Sequence, residues 1–299
     1  MQEFNPVRNK KMKNTDIVRA KNGWLKSHGL GNDYIVFNSK TIDFKLSKEV
    51  IQRICNRNYG IGSDGLLVFI DSNKADFGLR IYNPDGSEAE KSGNGIRIFA
   101  DYLYGMEFTD KKKFSIEVGG SVVKCEIQTV RKKNDVKSIL VEMGKASFIP
   151  DSIPVKFDGE ETLDMSIFIE GRELIFSTVS IGNPHAVFMV DNLDSIDIKK
   201  VGPLVEDNQM FPNRINVQFA QIIDRKNVMI EIWERGAGYT LASGSSSCGV
   251  VAVLNRKDMV DDKVNVHMPG GTLEVFIDKN SMIRLRGPVT KIACGILLA

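Results

Sequence analysis

The chain has little of several residue types that mark common functions: four cysteines, three histidines and two tryptophans in 299 residues. Cys55, Cys125, Cys248 and Cys294 form no CxxC pair, and His28, His185 and His267 have no second histidine or cysteine at ligand spacing. No structural zinc site, and no other metal centre, is therefore expected. The N-terminus has no apolar stretch of the secretory kind, so the isolated thiols are expected to be reduced, in a cytoplasm. Charge of one sign is scarce too. Forty basic residues against thirty-eight acidic ones leave a net charge of +2, without the basic excess of a dedicated nucleic-acid binder. No run approaches the roughly 18 apolar residues of a membrane span. What is present, 42% hydrophobic and 26% charged residues, suits a globular protein in water, and the length suits two domains of about 150 residues.

Residues 1–21 carry Arg8, Lys10, Lys11, Lys13, Arg19 and Lys21 against Glu3 and Asp16. They read as a flexible, solvated basic tail.

Compared with itself at an offset of 151, the chain repeats several unusual positions. Leu30-Gly31-Asn32 falls on Ile181-Gly182-Asn183, and Val36-Phe37 on Val187-Phe188. Val50 and Ile54 fall on Val201 and Val205, Ile81-Tyr82-Asn83 on Ile232-Trp233-Glu234, and Ser92-Gly93 on Ser243-Gly244. Matches in one order at a single offset indicate duplication.

Local patterns agree between the halves. A Gly-Asn turn leads into an apolar strand, 34–37 or 186–190. Ser47 is a suitable N-cap for a helix over 48–57, with Ile51, Ile54 and Cys55 on one face. Its counterpart covers about 196–206, where Gly202-Pro203 should kink or split it. Strands are expected at 66–70, 79–82, 217–223 and 228–233, then a helix in each half opened by Ser-Gly. The first, 93–104, places Ile96, Phe99, Ala100 and Leu103 on one face; the second, about 245–256, is apolar nearly all round. Such a helix should be buried at the centre of a sheet wrapped around it. Further strands are expected at 114–118, 122–127, 139–143, 173–179, 264–267, 273–277, 282–286 and 291–297. Strands joined by short loops favour a largely antiparallel α+β fold over a doubly wound parallel sheet.

Both Ser-Gly helices begin with small residues, Lys91-Ser92-Gly93-Asn94-Gly95 and Ala242-Ser243-Gly244-Ser245-Ser246-Ser247. A helix N-terminus offers free N–H groups and the positive end of the dipole to an anion, and glycine admits the ligand closely. Two related starts, one per half, point to anion-binding ends facing one another across an interdomain cleft. Asn32, Asn83, Asn94, Asn183 and Asn216 collect around the same elements. Glu234-Arg235 follows an apolar strand, where an acid and a base could take the ammonium and carboxylate of a zwitterion.

These residues carry a resemblance. His28-Gly-Leu-Gly-Asn-Asp33, Asn83-Pro-Asp-Gly-Ser-Glu88, Ser92-Gly-Asn-Gly-Ile-Arg97, Gly182-Asn-Pro-His185 and Glu234-Arg-Gly-Ala-Gly238 resemble, in order, the signature segments of diaminopimelate epimerases. The resemblance covers the chain from about residue 24 to its end. It implies two pseudosymmetric α+β domains, each a mostly antiparallel sheet around a central helix, here 22–138 plus 286–299 and 139–285 after the tail. It also implies cofactor-independent inversion at an amino-acid α-carbon, LL- to meso-diaminopimelate, in lysine and cell-wall precursor synthesis. In the family each domain supplies a cysteine at the start of its central helix, one taking the α-proton as thiolate and one returning a proton to the opposite face. Without a cofactor as electron sink, such a site must hold the carboxylate at helix ends, exclude water and place a base on each face.

Carried over by position, Asn32, Asn83, Asn183, Asn216, Glu234 and Arg235 match the family's substrate contacts, and Gly93, Asn94, Gly244 and Ser245 its helix-start amides. Gly65 stands where some members have a glutamine, and Tyr239 replaces a glutamate. Both catalytic positions depart: Ser92 and Ser243 stand where the family has cysteines, and Cys248 matches a non-catalytic one. The implied partners are a small-molecule amino-acid substrate and at most a second copy in a homodimer, with no nucleic acid, membrane, metal or cofactor.

A helix dipole worth ~0.3–1 kcal/mol shifts a pKa by less than about one unit, too little to make a serine hydroxyl a good base. His185, after Asn183-Pro184, is the nearest group by motif that could polarise one hydroxyl. Three outcomes stay open: a natural variant racemising a different amino acid with a more acidic α-proton, a Cys→Ser trap that holds substrate, and a relative that only binds. A serine hydrolase fits less well, because Gly244-Ser245-Ser246-Ser247-Cys248 misses the last glycine of the nucleophile elbow. A dinucleotide site lacks the third glycine after Gly29-Leu30-Gly31.

Overall fold

The computed structural model describes residues 13–89, 91–132 and 135–298. The first half runs α1 (Asn14–Arg19), β1 (Gly23–Gly29), β2 (Asn32–Asn38), α2 (Lys48–Cys55), β3 (Leu66–Ile70), β4 (Phe77–Tyr82), β5 (Glu88–Ala89), α3 (Gly93–Gly105), β6 (Lys113–Val118), β7 (Ser121–Lys132) and β8 (Asp135–Lys145). The second runs β9 (Met165–Ile169), β10 (Arg172–Ser180), β11 (Pro184–Met189), α4 (Ile198–Glu206), β12 (Asn216–Asp224), β13 (Asn227–Glu234), β14 (Gly238–Tyr239), α5 (Gly244–Arg256), β15 (Lys263–Met268), β16 (Gly271–Ile277), β17 (Met282–Gly287) and β18 (Thr290–Ile296).

The repeat holds at the level of strand register. Ile35 pairs with Leu66 in parallel and, 151 residues on, Ala186 pairs with Val217 in parallel. Leu66 then faces Tyr82 as Val217 faces Trp233. The central helices α3 and α5 begin at Gly93 and Gly244 and each run 13 residues. Beyond them the offset falls to 150, because Lys113–Glu126 in one half answers Lys263–Phe276 in the other. The duplication is thus interrupted by one residue between α5 and β15. Antiparallel pairing dominates, with parallel pairs at matching places in each half, β2–β3 and β4–β6 against β11–β12 and β13–β15.

Burial explains the arrangement. Strands β6 and β15 share the pattern of alternate buried residues that a one-sided sheet requires. Every residue of α3 except Tyr104 is buried, and Ser246–Leu254 of α5 are buried without a break. Neither helix keeps a solvent face, so each must be enclosed by sheet. The halves join edge to edge where β8 pairs antiparallel with β17, Val141 opposite Leu285, and all 18 strands form one continuous sheet. One core therefore contains Phe99 and Tyr102 of α3, Val250 and Leu254 of α5, and Val141 and Leu285 of the joining strands. Satellite cores lie under α2 (Ile35, Ile54, Leu66) and α4 (Ala186, Val205, Val217), at repeat-related positions. The last strand, β18, returns to pair with β1, as β9 pairs with β10.

Three expectations are corrected. The basic tail does not extend to residue 21: Asn14–Arg19 form a helix, Val18 is fully buried, and Arg19 bonds the carbonyls of Met106 and Glu107. Residues 1–12 lie outside the described residues. Helix α4 is not split at Gly202-Pro203. Gly202 lies flat against Trp233, where a Cβ would sit 2.7 Å from the ring, and this packing holds the helix together across the missing N–H of Pro203. Finally, β1, β5, β9 and β14 are strands that the apolar pattern does not announce. In β1 the buried face is Gly23, Leu25, Ser27 and Gly29, too small and polar to mark a strand, whereas β9 is only five residues long and its exposed face carries Phe168. No helix is long and apolar enough to cross a membrane among the described residues.

Candidate active site

Ser92 and Ser243 are the N-caps of the two central helices, both in extended backbone, with Ser92 Oγ accepting from Gly95 N–H at 3.0 Å and Ser243 Oγ from Ser246 N–H at 3.4 Å. Serine suits this position because its oxygen replaces the missing turn of carbonyls. The helix starts meet. A Cβ on Gly93 would lie 3.2 Å from Gly244 Cα, and one on Gly244 would lie 3.1 Å from Gly93 Cα. Only glycine lets the two positive helix ends converge this closely. Ser243 is 3% exposed and Ser92 partly buried.

Asparagines brace the junction in a repeat-related way. Asn94 Nδ2 donates to Asn32 Oδ1 at 3.1 Å, and 151 residues on, Asn183 Nδ2 donates to Ser245 Oγ at 3.4 Å. Asn94 also crosses between halves, donating to the Ala242 carbonyl at 3.0 Å, and accepts from the buried Arg97 guanidinium at 2.7 Å. Asn32 donates in turn to Asp64, which Arg57 ties to Asp33. Burial would raise the Asp33 carboxyl, but Arg57 and Lys26 outweigh it and hold it below the ordinary carboxylate range. Asn216 links two loops, donating to Pro184 O at 2.7 Å and accepting from Arg235 N–H at 3.0 Å.

Each serine also has a titratable partner. Tyr34 O–H donates to Ser92 Oγ at 3.2 Å. The Glu234 carboxylate lies beside Ser243, close enough for the serine to pull its pKa down, and accepts from Thr240 Oγ1 at 3.3 Å. Burial raises the Glu234 pKa, and the Ser243 and Thr240 hydroxyls only partly oppose it. The loop bearing Glu234 and Arg235 is held from below by Glu206, which accepts from Gly236 N–H at 2.8 Å and Trp233 Nε1 at 2.7 Å and pairs with Arg214 at 2.9 Å.

The chain is similar to known proteins over most of its length. The sequence profile described as diaminopimelate epimerase matches residues 24–149 and 177–292. The chain belongs to the diaminopimelate epimerase family. It is 48% identical over 275 residues to diaminopimelate epimerase 2 of Nostoc sp., covering 92% of this chain and 95% of that one. It is 37% identical to the diaminopimelate epimerase of Alkaliphilus metalliredigens, covering 91% and 96%. The fold is also that of a hydroxyproline epimerase from Agrobacterium vitis, solved with bound trans-4-OH-L-proline, at TM-score 0.70 and 14% identity over 91% of each chain.

Within this diaminopimelate epimerase fold, Ser92, Gly93, Asn94, Gly244, Ser245, Asn32, Asn183 and Ser243 gather at the helix junction, and Glu234 reaches it through Ser243. Arg235 and Asn216 share one loop contact beside it, whereas Asn83 sits exposed in a tight turn, bonding Ser87. His185 does not polarise a serine. Its Nε2 bonds Asn183 Oδ1 at 3.0 Å, its ring packs on Gly249, and burial pushes its pKa down to about 3. Gly249 lies six residues past Ser243, about 9 Å along the helix, which explains the miss. Cys248 is fully buried inside α5, with its thiol pushed up to about 12 by burial. Tyr239 packs beneath Lys199. A cavity of about 340 Å³ opens elsewhere, at the far end of α5 beside Asn255 and Arg256.

Sequence reasoning misses Tyr34, Thr240 and Glu206. Tyr34 was within reach, because it stands 151 residues before His185 in the repeat. Glu206→Ala is expected to leave Trp233 Nε1 and Gly236 N–H unpaired, at about 1–3 kcal/mol each. Thermal melting should register that loss, and steady-state kinetics should show KM rising more than kcat falls.

Proposed function

We propose that the protein is a cofactor-independent epimerase that interconverts LL- and meso-diaminopimelate in the cytoplasm, with Ser92 and Ser243 as the proton-transferring groups on opposite faces of the α-carbon. The observation that carries this reading is the convergence of two capped helix starts, Gly93 against Gly244, with a hydroxyl at each. The paired N-termini are placed to take the α-carboxylate, whose growing negative charge they stabilise as the proton leaves. Arg235 supplies a second cationic contact and Glu234 an anionic one for the ammonium. The substrate assignment is supported by the named relatives, which are similar over 92% and 91% of the chain. Each chain carries both helix starts, so a second copy is not needed to complete the site.

Incubating the protein with LL-diaminopimelate and separating the isomers by chromatography tests this directly. Meso product should accumulate, and an unchanged LL pool with demonstrated binding would mean a binder. The reaction should also weaken in acid. Glu234 can take a proton from Ser243 only as carboxylate, so kcat/KM should fall as pH drops through its pKa, which burial raises above the ordinary 4.5. Glu234→Gln should lower kcat/KM by about 10²-fold or more and abolish that acid limb, since a positioned base contributes on that order.

A further inference from the structure

The two serines sit at equivalent positions but are not hydrogen-bonded equivalently. A serine hydroxyl has one proton to give and two lone pairs to receive with. Ser92 Oγ accepts from both Tyr34 O–H, at 3.2 Å, and Gly95 N–H, at 3.0 Å. Both lone pairs are occupied, so its own proton is the function left free. Among the described residues, Ser243 Oγ accepts only from Ser246 N–H, at 3.4 Å, with no phenol opposite it and the Glu234 carboxylate close by as a proton acceptor. One lone pair is left free there.

This polarity comes from residues that break the repeat. Tyr34 answers to His185, which bonds Asn183 rather than Ser243, and Glu234 answers to Asn83, which bonds Ser87. The Tyr34 side chain is built into its place: it is 8% exposed, and a Cβ on Gly65 would lie 2.8 Å from its ring. The glycine makes room for the phenol. Burial, with Glu234, Asp64 and Asp33 nearby, raises the phenol above its ordinary pKa and keeps it a donor.

We propose that Tyr34 is a positioning residue that fixes Ser92 as the proton-donating face of the site, leaving Ser243, with Glu234 beside it, as the proton-accepting face. The proposal rests on the epimerase reading above. In the step so assigned, the Cα–H bond breaks, its proton goes to Ser243 Oγ, and the original Ser243 proton passes to the Glu234 carboxylate. The electron pair left on Cα takes the Ser92 hydroxyl proton from the opposite face. The negative charge then on Ser92 Oγ is held by the Tyr34 and Gly95 hydrogen bonds until proton exchange through water restores Ser92 and Glu234. One C–H bond is broken and one formed, with no net change of charge, and the opposite direction retraces the same states from the form with Ser92 deprotonated and Glu234 protonated.

Tyr34→Phe keeps the ring and removes only the hydroxyl. In D₂O, starting separately from LL- and meso-diaminopimelate, NMR reads deuterium entering unreacted substrate and deuterium entering inverted product. Inversion is expected to fall about 100-fold, the scale for losing one donor to a developing oxyanion. Wash-in without inversion should persist for the isomer whose α-hydrogen faces Ser243, so that the ratio of wash-in to inversion rises at least tenfold for that isomer alone. An unchanged ratio for both isomers, with unchanged melting temperature, would overturn the role of Tyr34 while leaving the epimerase reading intact. A parent protein that neither exchanges nor inverts either isomer would overturn both.

Discussion

The double variant Ser92→Cys with Ser243→Cys is expected to exchange the α-hydrogen of diaminopimelate about 10²–10⁴ times faster than the parent chain, the range that well-matched acid–base groups supply. The reason is intrinsic acidity. A thiol ionises near pH 8.5 and lower at a helix start, whereas a hydroxyl at the same start stays far above the working pH. In the proposed mechanism each serine is helped by a neighbour, the Tyr34 hydroxyl bonded to Ser92 and the Glu234 carboxylate beside Ser243. The substitution also has a cost. Both serines cap their helices, and sulfur caps poorly, so some of the ~0.5–2 kcal/mol of each cap should be lost. The variant should therefore be faster and less stable, which exchange by NMR and a thermal melt read separately. If it folds and binds diaminopimelate, yet exchanges no faster than the parent, the two serines are not the proton-transferring groups.

Gly244→Ala should have the second largest effect, through geometry alone. A Cβ there would lie 2.8 Å from Leu285 Cδ2 and 3.1 Å from Gly93 Cα. The leucine can rotate, but the backbone of α3 can move only by separating the helix starts. Overpacking of this kind costs about 1–3 kcal/mol, and pushing the helix starts apart by even a few tenths of an ångström misplaces the reacting groups, at a cost of about tenfold in rate where a full ~1 Å would cost about 10²-fold. Turnover should thus fall much further than the melting temperature implies. Gly249→Ala is a suitable control: it is buried in the same helix, but its Cβ would meet His185 at 3.3 Å, away from the junction. If Gly244→Ala and Gly249→Ala lose activity equally, the convergence of helix starts is not what sets the rate.

Much of this arrangement is legible in the sequence, for identifiable reasons. The glycines at the helix starts repeat at a fixed offset because backbone meets backbone at the junction, where any side chain on Gly93 or Gly244 would crowd the opposite helix, and the serines repeat because each caps its helix. The burial of α5 follows from its lack of a polar face. What the sequence hides is the identity of hydrogen-bond partners. Tyr34 lies in an apolar strand and reads as core, which it also is; only its hydroxyl, pointing to Ser92 from another element, gives it a second role. Glu206 reads as a solvated helix acid, but the chain folds its carboxylate under the Trp233–Gly236 turn. His185 misleads in the opposite direction, since its nearness to Asn183 in the chain carries no information about its depth beside α5. By motif, Asn32, Asn83, Asn183 and Asn216 match substrate contacts and Asn94 a helix-start amide. In the structure all five are tied to protein partners: Asn32, Asn94 and Asn183 at the junction, Asn216 beside it, and Asn83 in its own exposed turn.

The central claim is that two serines on opposite faces move a proton on and off one carbon. It is tested most directly by incubating the unmodified protein with LL-diaminopimelate in D₂O and stopping at low conversion. The account predicts that every inverted molecule carries deuterium at the new α-position, while unreacted LL substrate retains protium. Deuterium appearing in substrate with retained configuration and no meso product would indicate a single active face, and bound substrate with no exchange would mean that the serines only cap their helices.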